Sequence, residues 1–186
     1  VITKTNNEKT PKWRRLDEIT SEMRVAIPRK LEFFGDIHEL YARFFGLMIG
    51  DGNYSYHIRI HTKDIEVVEY IKSFFGESAR IKIDGLTKKN EPIYYIEFSK
   101  LRDVFRENKL YGVTGINKKL PYNWQKYDKY SICELIAGLF DTDGSFIFSK
   151  NSVPSIELTS ISYGLLKELK LSLIHISEPT RRTPIS

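Results

Sequence analysis

The chain has 186 residues, of which 41% are hydrophobic and 28% are charged, and its formal net charge at pH 7 is +5. This is the composition of a globular protein, and no apolar run approaches the roughly 20 residues that span a bilayer, so we expect no membrane partner. The single cysteine excludes an internal disulfide and a cysteine-cluster metal site, and the positive charge suits an anionic partner.

The first patterned elements follow a polar N-terminal segment, residues 1–34. Within it, Arg24–Ile27 precedes a proline and predicts a short strand. Apolar residues then recur with helical spacing over Ile37–Ile49, and Asp36 is the predicted N-cap of this helix. Gly46 lies in the middle of the helix, where glycine costs ~1 kcal/mol relative to alanine. We therefore expect the backbone of another helix to approach at Gly46.

Strict alternation of polarity predicts a strand over residues 54–61. Its apolar side chains would face the core, and these are Tyr54, Tyr56, Ile58 and Ile60. An amphipathic helix is predicted over Lys63–Phe75, and Gly76 suits its end. Arg80–Asp84 and Pro92–Phe98 predict a hairpin with Ile81 and Ile83 on one side, and a short helix ends near Leu110.

A linker rich in lysine, residues 111–129, separates these elements from a second patterned region. This region is predicted to contain an apolar helix, two strands and the start of a further helix, over Ser131–Phe140, Phe146–Ser149, Ser155–Ser160 and Ser162–Lys170. In the second strand, Ile156 and Leu158 would face inward. The order of elements repeats the start of the first region, which indicates an internal repeat.

One stretch occurs in both regions, as FFGLMIGDG at Phe44–Gly52 and as IAGLFDTDG at Ile136–Gly144. Each copy is an apolar helical segment that ends on Asp-Gly. A carboxylate in the last turn of a helix faces the negative end of the helix dipole, which costs ~0.3–1 kcal/mol. A repeated arrangement of this kind suggests that the two carboxylates have a use.

Packing of the two helices through their small residues would bring these carboxylates together. The small residues are Gly46 in the first helix and Ala137 and Gly138 in the second. Asp51 and Asp143 would then lie close to one another, and two close carboxylates repel unless they share a proton or a cation. A hard divalent ion, above all Mg²⁺, binds such oxygen ligands and can orient water for attack on a phosphate.

Both stretches resemble the LAGLIDADG motif of homing endonucleases, IAGLFDTDG closely and FFGLMIGDG more loosely. The resemblance extends to about Lys170 and implies an α+β fold of two pseudo-symmetric αββαββα units, residues 35–110 and 130–170, of which the second is incomplete. It also implies antiparallel sheets that form a saddle over double-stranded DNA, in a monomer with an internal pseudo-twofold axis.

The same resemblance implies the catalytic residues. Asp51 and Asp143 would bind Mg²⁺ or Mn²⁺ and promote hydrolysis of one phosphodiester bond on each strand. Lys118 resembles an active-site lysine of intein-encoded members, with Lys119 as the competing register. Asp141 matches the earlier acidic position of the motif, but the first copy has an apolar residue there, so Asp141 is not part of a symmetric pair.

Polar side chains on the predicted strands suit contact with DNA, because arginine and lysine bind guanine edges and phosphates. The candidate DNA-binding residues are His57, Arg59, His61, Arg80, Lys82, Lys88, Lys89, Lys150 and Thr159. Each of them is also compatible with an ordinary solvated surface, and they indicate no base sequence.

The stretch WRRLDEITSEMRVAIPRK at Trp13–Lys30 resembles the segment that precedes the endonuclease in inteins. Residues 1–34 would then be the end of an N-terminal splicing half. The chain lacks a Thr-x-x-His segment and a His-Asn pair, so we expect it not to splice. An RNA-splicing maturase and a non-cleaving DNA-binding regulator carry the same motifs and stay open as alternatives, ahead of a purely structural repeat protein.

The last residues, 171–186, resemble the translated read-through of a sequencing-library adapter, and we expect them not to be native. The second unit would then lack a hairpin and its final helix, so we expect this fragment to be inactive as a nuclease. We expect an intracellular protein, in the cytoplasm if the host is prokaryotic.

Overall fold

The structure, a computed structural model, describes residues 2–5, 7–26, 34–148 and 154–176. It divides the chain into two compact units, Val1–Glu32 and Phe33–Ser186. None of the helices in the described ranges is long and apolar enough to cross a membrane. Helices combine with antiparallel sheets in the second unit, so the predicted α+β class is confirmed. The proposed boundaries at 110, 129 and 170 stay predictions.

The first unit contains a small antiparallel sheet in the order β2-β1-β3, formed by β1 (Ile2–Lys4), β2 (Lys12–Trp13) and β3 (Arg24–Val25). Thr3 at its centre is fully buried. Arg14 donates a hydrogen bond to Thr3 Oγ1 at 2.9 Å and forms an ion pair with Glu8. The strand predicted over Arg24–Ile27 is present at its first two residues, and Ile27 lies outside the described ranges.

The second unit contains the α-helices and the remaining strands of the described residues. In chain order they are α1 (Ala42–Asp51), β4 (Gly52–Asn53), β5 (Ile58–Thr62), α2 (Ile65–Phe75), β6 (Ala79–Leu86), β7 (Pro92–Phe98), α3 (Arg102–Glu107), α4 (Lys129–Asp143), β8 (Gly144–Ile147), β9 (Ser155–Leu158) and α5 (Tyr163–Ile176). Both α1 and α4 run directly into a strand, and each of these strands begins an antiparallel pair.

An aromatic core joins α1 to a four-stranded sheet in the order β4-β5-β7-β6. Phe44 of α1 lies with its ring centroid 4.6 Å from that of Phe75 on α2, 4.9 Å from that of Phe98 on β7 and 6.0 Å from that of Phe105 on α3. All three helices therefore cover the same face of the sheet. The opposite face is left for the polar side chains that alternate with the buried ones.

Helix α1 begins at Ala42, five residues later than the sequence predicts, and Asp36 is not its N-cap. The preceding segment is extended because Ile37 pairs with the chain before α4. The Ile37 N–H donates to Lys126 O at 3.0 Å, and its carbonyl accepts from the Asp128 N–H at 2.8 Å. This long-range pairing forms in place of the first turns of the predicted helix.

Two predicted inward positions, Tyr56 and Ile156, are wrong. Strand β5 begins only at Ile58 because the chain bends over residues 55–57, and Tyr56 is 76% exposed. Ile83, which was predicted only to share a side with Ile81, is 66% exposed on an edge strand beside a bulge. Ile156 is 57% exposed, on a sheet that has only two strands in the described ranges.

The final helix, α5, extends through residues 171–176, which the sequence assigned to adapter read-through. Residues 177–186 lie outside the described ranges, as does the candidate DNA-binding residue Lys150. The non-native origin of residues 171–186 stays a prediction.

Candidate active site

The candidate site lies at the C-terminal ends of α1 and α4. Asp51 is the last residue of α1, and Asp143 is the last residue of α4. The next residues, Gly52 and Gly144, cap the two helices in the same way, each donating its N–H to a carbonyl of the last turn. The two copies of the repeated stretch therefore present their carboxylates in matching local positions.

Close packing of α1 against α4 sets the position of these helix ends. A Cβ on Gly46 would overlap the carbonyl oxygen of Leu135 and come within 2.7 Å of the backbone nitrogen of Leu139. A Cβ on Gly138 would overlap the carbonyl oxygen of Arg43 in the same manner. The two backbones are in direct contact at both glycines, which only residues without a side chain allow.

The contact continues to the residues beside the carboxylates. A Cβ on Gly50 would overlap the Thr142 hydroxyl and lie 3.5 Å from the carboxyl carbon of Asp143. The last turn of α1 thus adjoins the last turn of α4, with Asp51 and Asp143 each one residue beyond this contact. Ala137, the other small residue singled out in the sequence, is half-buried on α4.

Lys118 reaches this site from the segment between α3 and α4. Its ammonium group donates a hydrogen bond to the carbonyl oxygen of Gly50 at 2.6 Å, and its side chain is half-buried. Lys119, the competing candidate, is exposed. The structure therefore brings Lys118 to the helix ends and leaves Lys119 at the surface.

Helix α5 holds the backbone of the Lys118 segment. The buried Ser162 hydroxyl donates to the Lys118 carbonyl at 2.6 Å and accepts from the Leu165 N–H at 3.2 Å. The Leu120 N–H donates to a carboxylate oxygen of Glu168 at 2.8 Å. Sequence reasoning missed Ser162 and Glu168, because both act on a segment more than forty residues away.

The three charged groups influence one another's pKa. Partial burial raises the pKa of Asp143, the charge of Asp51 raises it further, and Lys118 opposes the increase. Partial burial also raises the pKa of Asp51, opposed by Lys118 and reinforced by the charge of Asp64. Burial lowers the pKa of Lys118, and both aspartates counteract that decrease. Desolvation and like charge together favour a proton or a cation between the carboxylates.

Asp141 is engaged elsewhere. Its carboxylate pairs with Arg43 of α1 at 2.6 Å, and the same guanidinium lies 3.6 Å from Glu134 and over the ring of Tyr70. The Arg43 guanidinium thus compensates the charge of Asp141, whereas Asp51 and Asp143 lie at the helix ends that Lys118 reaches.

The donor set at the helix ends fits a hard divalent cation. The two carboxylates are oxygen donors of the kind that Mg²⁺ prefers, and the nearby Gly50 carbonyl is engaged by Lys118. Within the described ranges, no group of three or more His, Cys, Asp and Glu side chains is placed to hold a metal. The protein would therefore contribute two carboxylates, leaving other positions to carbonyl, water and phosphate oxygens, as is usual for Mg²⁺.

Most of the candidate DNA-binding residues lie on or beside the polar face of the four-stranded sheet. Arg59 and His61 are on β5, Arg80 and Lys82 are on β6, and His57 immediately precedes β5. The remaining described candidates are exposed loop residues, namely Lys88, Lys89 and Thr159. Thr159 follows β9 instead of lying within it.

Two carboxylates on this face were missed by the sequence analysis. Glu97 Oε1 lies 3.4 Å from His57 Nδ1, and Asp84 Oδ2 lies 3.3 Å from His61 Nε2. The alternation of Glu97 with the buried Ile96 and Phe98 is a signal that could have placed it on the polar face.

Comparison with known proteins agrees with the resemblance of the repeated stretch. A family model described as a LAGLIDADG-like domain matches residues 131–176, which include most of α4 and all of β8, β9 and α5. Over this segment the chain is similar to LAGLIDADG domains, and the match supports the predicted resemblance to the LAGLIDADG homing endonuclease family. Proteins of this family bind DNA and are generally nucleases. No curated protein matches the chain.

Proposed function

We propose that this chain is the endonuclease part of an intein, a homing endonuclease that hydrolyses phosphodiester bonds of double-stranded DNA at a long recognition site. One observation carries the proposal. Asp51, Asp143 and Lys118 come from three separate segments and meet at the adjoining ends of α1 and α4, where Lys118 donates a hydrogen bond to the Gly50 carbonyl and the charges of Asp51 and Lys118 shift the pKa of Asp143. Perturbed groups of opposite charge, gathered at one place, are typical of catalytic sites.

The chemistry of these groups suits phosphodiester hydrolysis. Asp51 and Asp143 would hold Mg²⁺ or Mn²⁺ through their carboxylates. Such an ion, when bound, lowers the pKa of a coordinated water and stabilises charge on the leaving oxygen. Lys118 would stabilise negative charge on the phosphate or help to deprotonate the attacking water. Its partial desolvation supports this role, because electrostatic interactions strengthen where water is excluded.

We further propose that the chain is built from two pseudo-symmetric units, each contributing one aspartate. This is supported by the order of elements, because α1 leads into β4 and β5 as α4 leads into β8 and β9. A monomer of this kind would cut each DNA strand once, with the polar face of the sheets toward the duplex. Three cations on that face, Arg59, Arg80 and Lys82, suit a phosphate backbone.

The origin from an intein is supported by the sequence of Trp13–Lys30. The separate compact unit Val1–Glu32, with its own antiparallel sheet, is compatible with the end of a splicing half.

The test is cleavage of a library of long DNA duplexes in the presence of Mg²⁺. The protein is used as the 186-residue chain and as a form extended by the downstream sequence of the uninterrupted gene. We expect site-specific cutting by the extended form, and a decrease of at least about 10²-fold in Asp51→Asn and in Asp143→Asn, as for loss of a main electrostatic group.

Asp141→Asn is the matched control, and it should retain most of the activity because Asp141 pairs with Arg43. Cutting that survives both Asp51→Asn and Asp143→Asn would refute the mechanism. Tight binding of an intron RNA without DNA cleavage would instead identify a maturase.

A further inference from the structure

The polar face of the four-stranded sheet is arranged in rows across its three longest strands. In the register of the ladder, Glu97 on β7 is the partner of Arg59 on β5 and also of Arg80 on β6. The next row along the strands is His61, Tyr95 and Lys82. Cross-strand partners have Cβ atoms about 4.5–5.5 Å apart, so the Glu97 side chain starts from a strand position between those of Arg59 and Arg80.

The ion pairs on this face involve histidines and leave the stronger cations free. Glu97 lies beside His57, and Asp84 lies beside His61. Over the described parts of the chain, Arg59, Arg80 and Lys82 have no carboxylate oxygen within 4.0 Å of their charged groups. Surface cations without partners remain available to bind phosphates or guanine edges.

Glu97 also keeps hydrogen-bonding capacity. Its side chain is 28% exposed, and the contact with His57 engages Oε1 only. In the described ranges no hydrogen bond to Oε2 is present. A carboxylate with a free oxygen opposes the approach of phosphates, so on a surface that binds DNA this oxygen would need a hydrogen-bond donor of its own.

The major groove offers such a partner. An ionised carboxylate only accepts hydrogen bonds, and the base edges there present two donors, the N4 amino group of cytosine and the N6 amino group of adenine. Adenine also presents its N7 acceptor beside the amino group, which repels a second carboxylate oxygen. Cytosine is therefore the base that a glutamate accepts best.

We propose that Glu97 is a specificity-determining residue that accepts a hydrogen bond from the amino group of a cytosine in the major groove. Arg59 and Arg80 engage guanine edges or phosphates on either side. The inference rests on the proposed function, because it requires duplex DNA on this face. It goes beyond that function by assigning one base preference to one side chain.

The experiment is selection from a randomised duplex library by the 186-residue chain, followed by sequencing of the bound fraction. The wild type should select a motif with at least one position where cytosine is preferred about 5- to 150-fold, the range for one good base contact. Glu97→Gln should transfer the preference at that position to adenine, since a glutamine amide pairs with N6 and N7 of adenine.

Glu107→Gln is the matched control, because Glu107 is exposed on α3, at the opposite face of the sheet. It should select the same motif as the wild type, and both variants should retain the wild-type Tm. If Glu97→Gln keeps the cytosine preference, or weakens all positions equally, the base-reading role is refuted. If the wild type binds no duplex DNA, the proposed function fails as well, and the two failures are distinguishable.

Discussion

The surroundings of Lys118 support the catalytic role proposed for it. Its ammonium group is half-buried, donates to the Gly50 carbonyl at 2.6 Å and has its pKa lowered by burial. Asp143 and Asp51 act in the opposite direction and favour the charged form. A cation held in this balance can stabilise a developing negative charge, and it can also exchange a proton more readily than an exposed lysine.

Replacement of Lys118 by methionine tests this role at the residue scale. We expect the rate of DNA cleavage by the extended protein to fall by about 10²-fold or more, the usual contribution of a positioned acid–base group. Lys119→Met is the matched control, since the neighbouring side chain is exposed, and it should change the rate less than about 2-fold. Equal effects of both substitutions on the cleavage rate would contradict a catalytic role for Lys118.

The sequence predicted the candidate site residues from the motif, but it could not predict the contacts that surround them. Asp51 and Asp143 were predicted from the repeated Asp-Gly ends of the two stretches. Lys118 was predicted from a resemblance that did not distinguish it from Lys119. The pairing of Asp141 with Arg43 depends on the helices being packed, because these residues are far apart in the chain. The same holds for Ser162, which precedes α5 and donates a hydrogen bond to the Lys118 carbonyl.

At the scale of elements, the contact between α1 and α4 is what unites the two halves of the site. Gly46 and Gly138 let the backbones touch, and neither position has room for a Cβ. An added methyl group would have to push the helices apart or bend them, which costs typically 1–3 kcal/mol in a well-packed core. The helix ends would move with the backbone.

We therefore expect Gly46→Ala and Gly138→Ala to lower the Tm by several degrees, since 1 kcal/mol corresponds to ~2–4 °C in a protein of this size. Gly164→Ala in α5 is the control, because its Cβ would find its nearest atom 3.8 Å away on the Lys119 side chain. That substitution should leave the Tm unchanged or raise it slightly, as alanine favours a helix over glycine. Thermal unfolding followed by circular dichroism measures all three, and an unchanged Tm in Gly46→Ala would contradict the close contact.

Elements with strong periodicity were predicted well, and those governed by long-range contacts were not. The hairpin of β6 and β7 and the helix α2 follow from local alternation and helical spacing. The start of α1 was wrong because Ile37 pairs with the chain around Tyr127, which no local pattern reveals. The inward position predicted for Tyr56 was wrong because the chain bends before β5. The alternation of polar and apolar residues in the sequence continues through this bend and does not reveal it.

At the scale of the whole molecule, the proposed catalytic centre is assembled from segments that are distant in sequence. Asp51 ends the first motif helix, Asp143 ends the second, and Lys118 belongs to the chain between them. Because both aspartates have a raised pKa, the unfolded chain releases these protons at lower pH than the folded chain. The free energy of unfolding should therefore decrease as the pH rises through that interval. A cation bound between the two aspartates would neutralise their charge and reverse this decrease in the free energy of unfolding.

The most direct test is the pKa of the Asp143 carboxyl group, measured by ¹³C NMR titration of the wild type and of Asp51→Asn. The charge of Asp51 disfavours ionisation of Asp143, so we expect the pKa of Asp143 to lie above its ordinary value and to fall in Asp51→Asn. Mg²⁺ should lower it in the wild type, and Asp141→Asn should leave it unchanged. A pKa of Asp143 that is the same with and without Asp51 would show that the two carboxylates do not form one site.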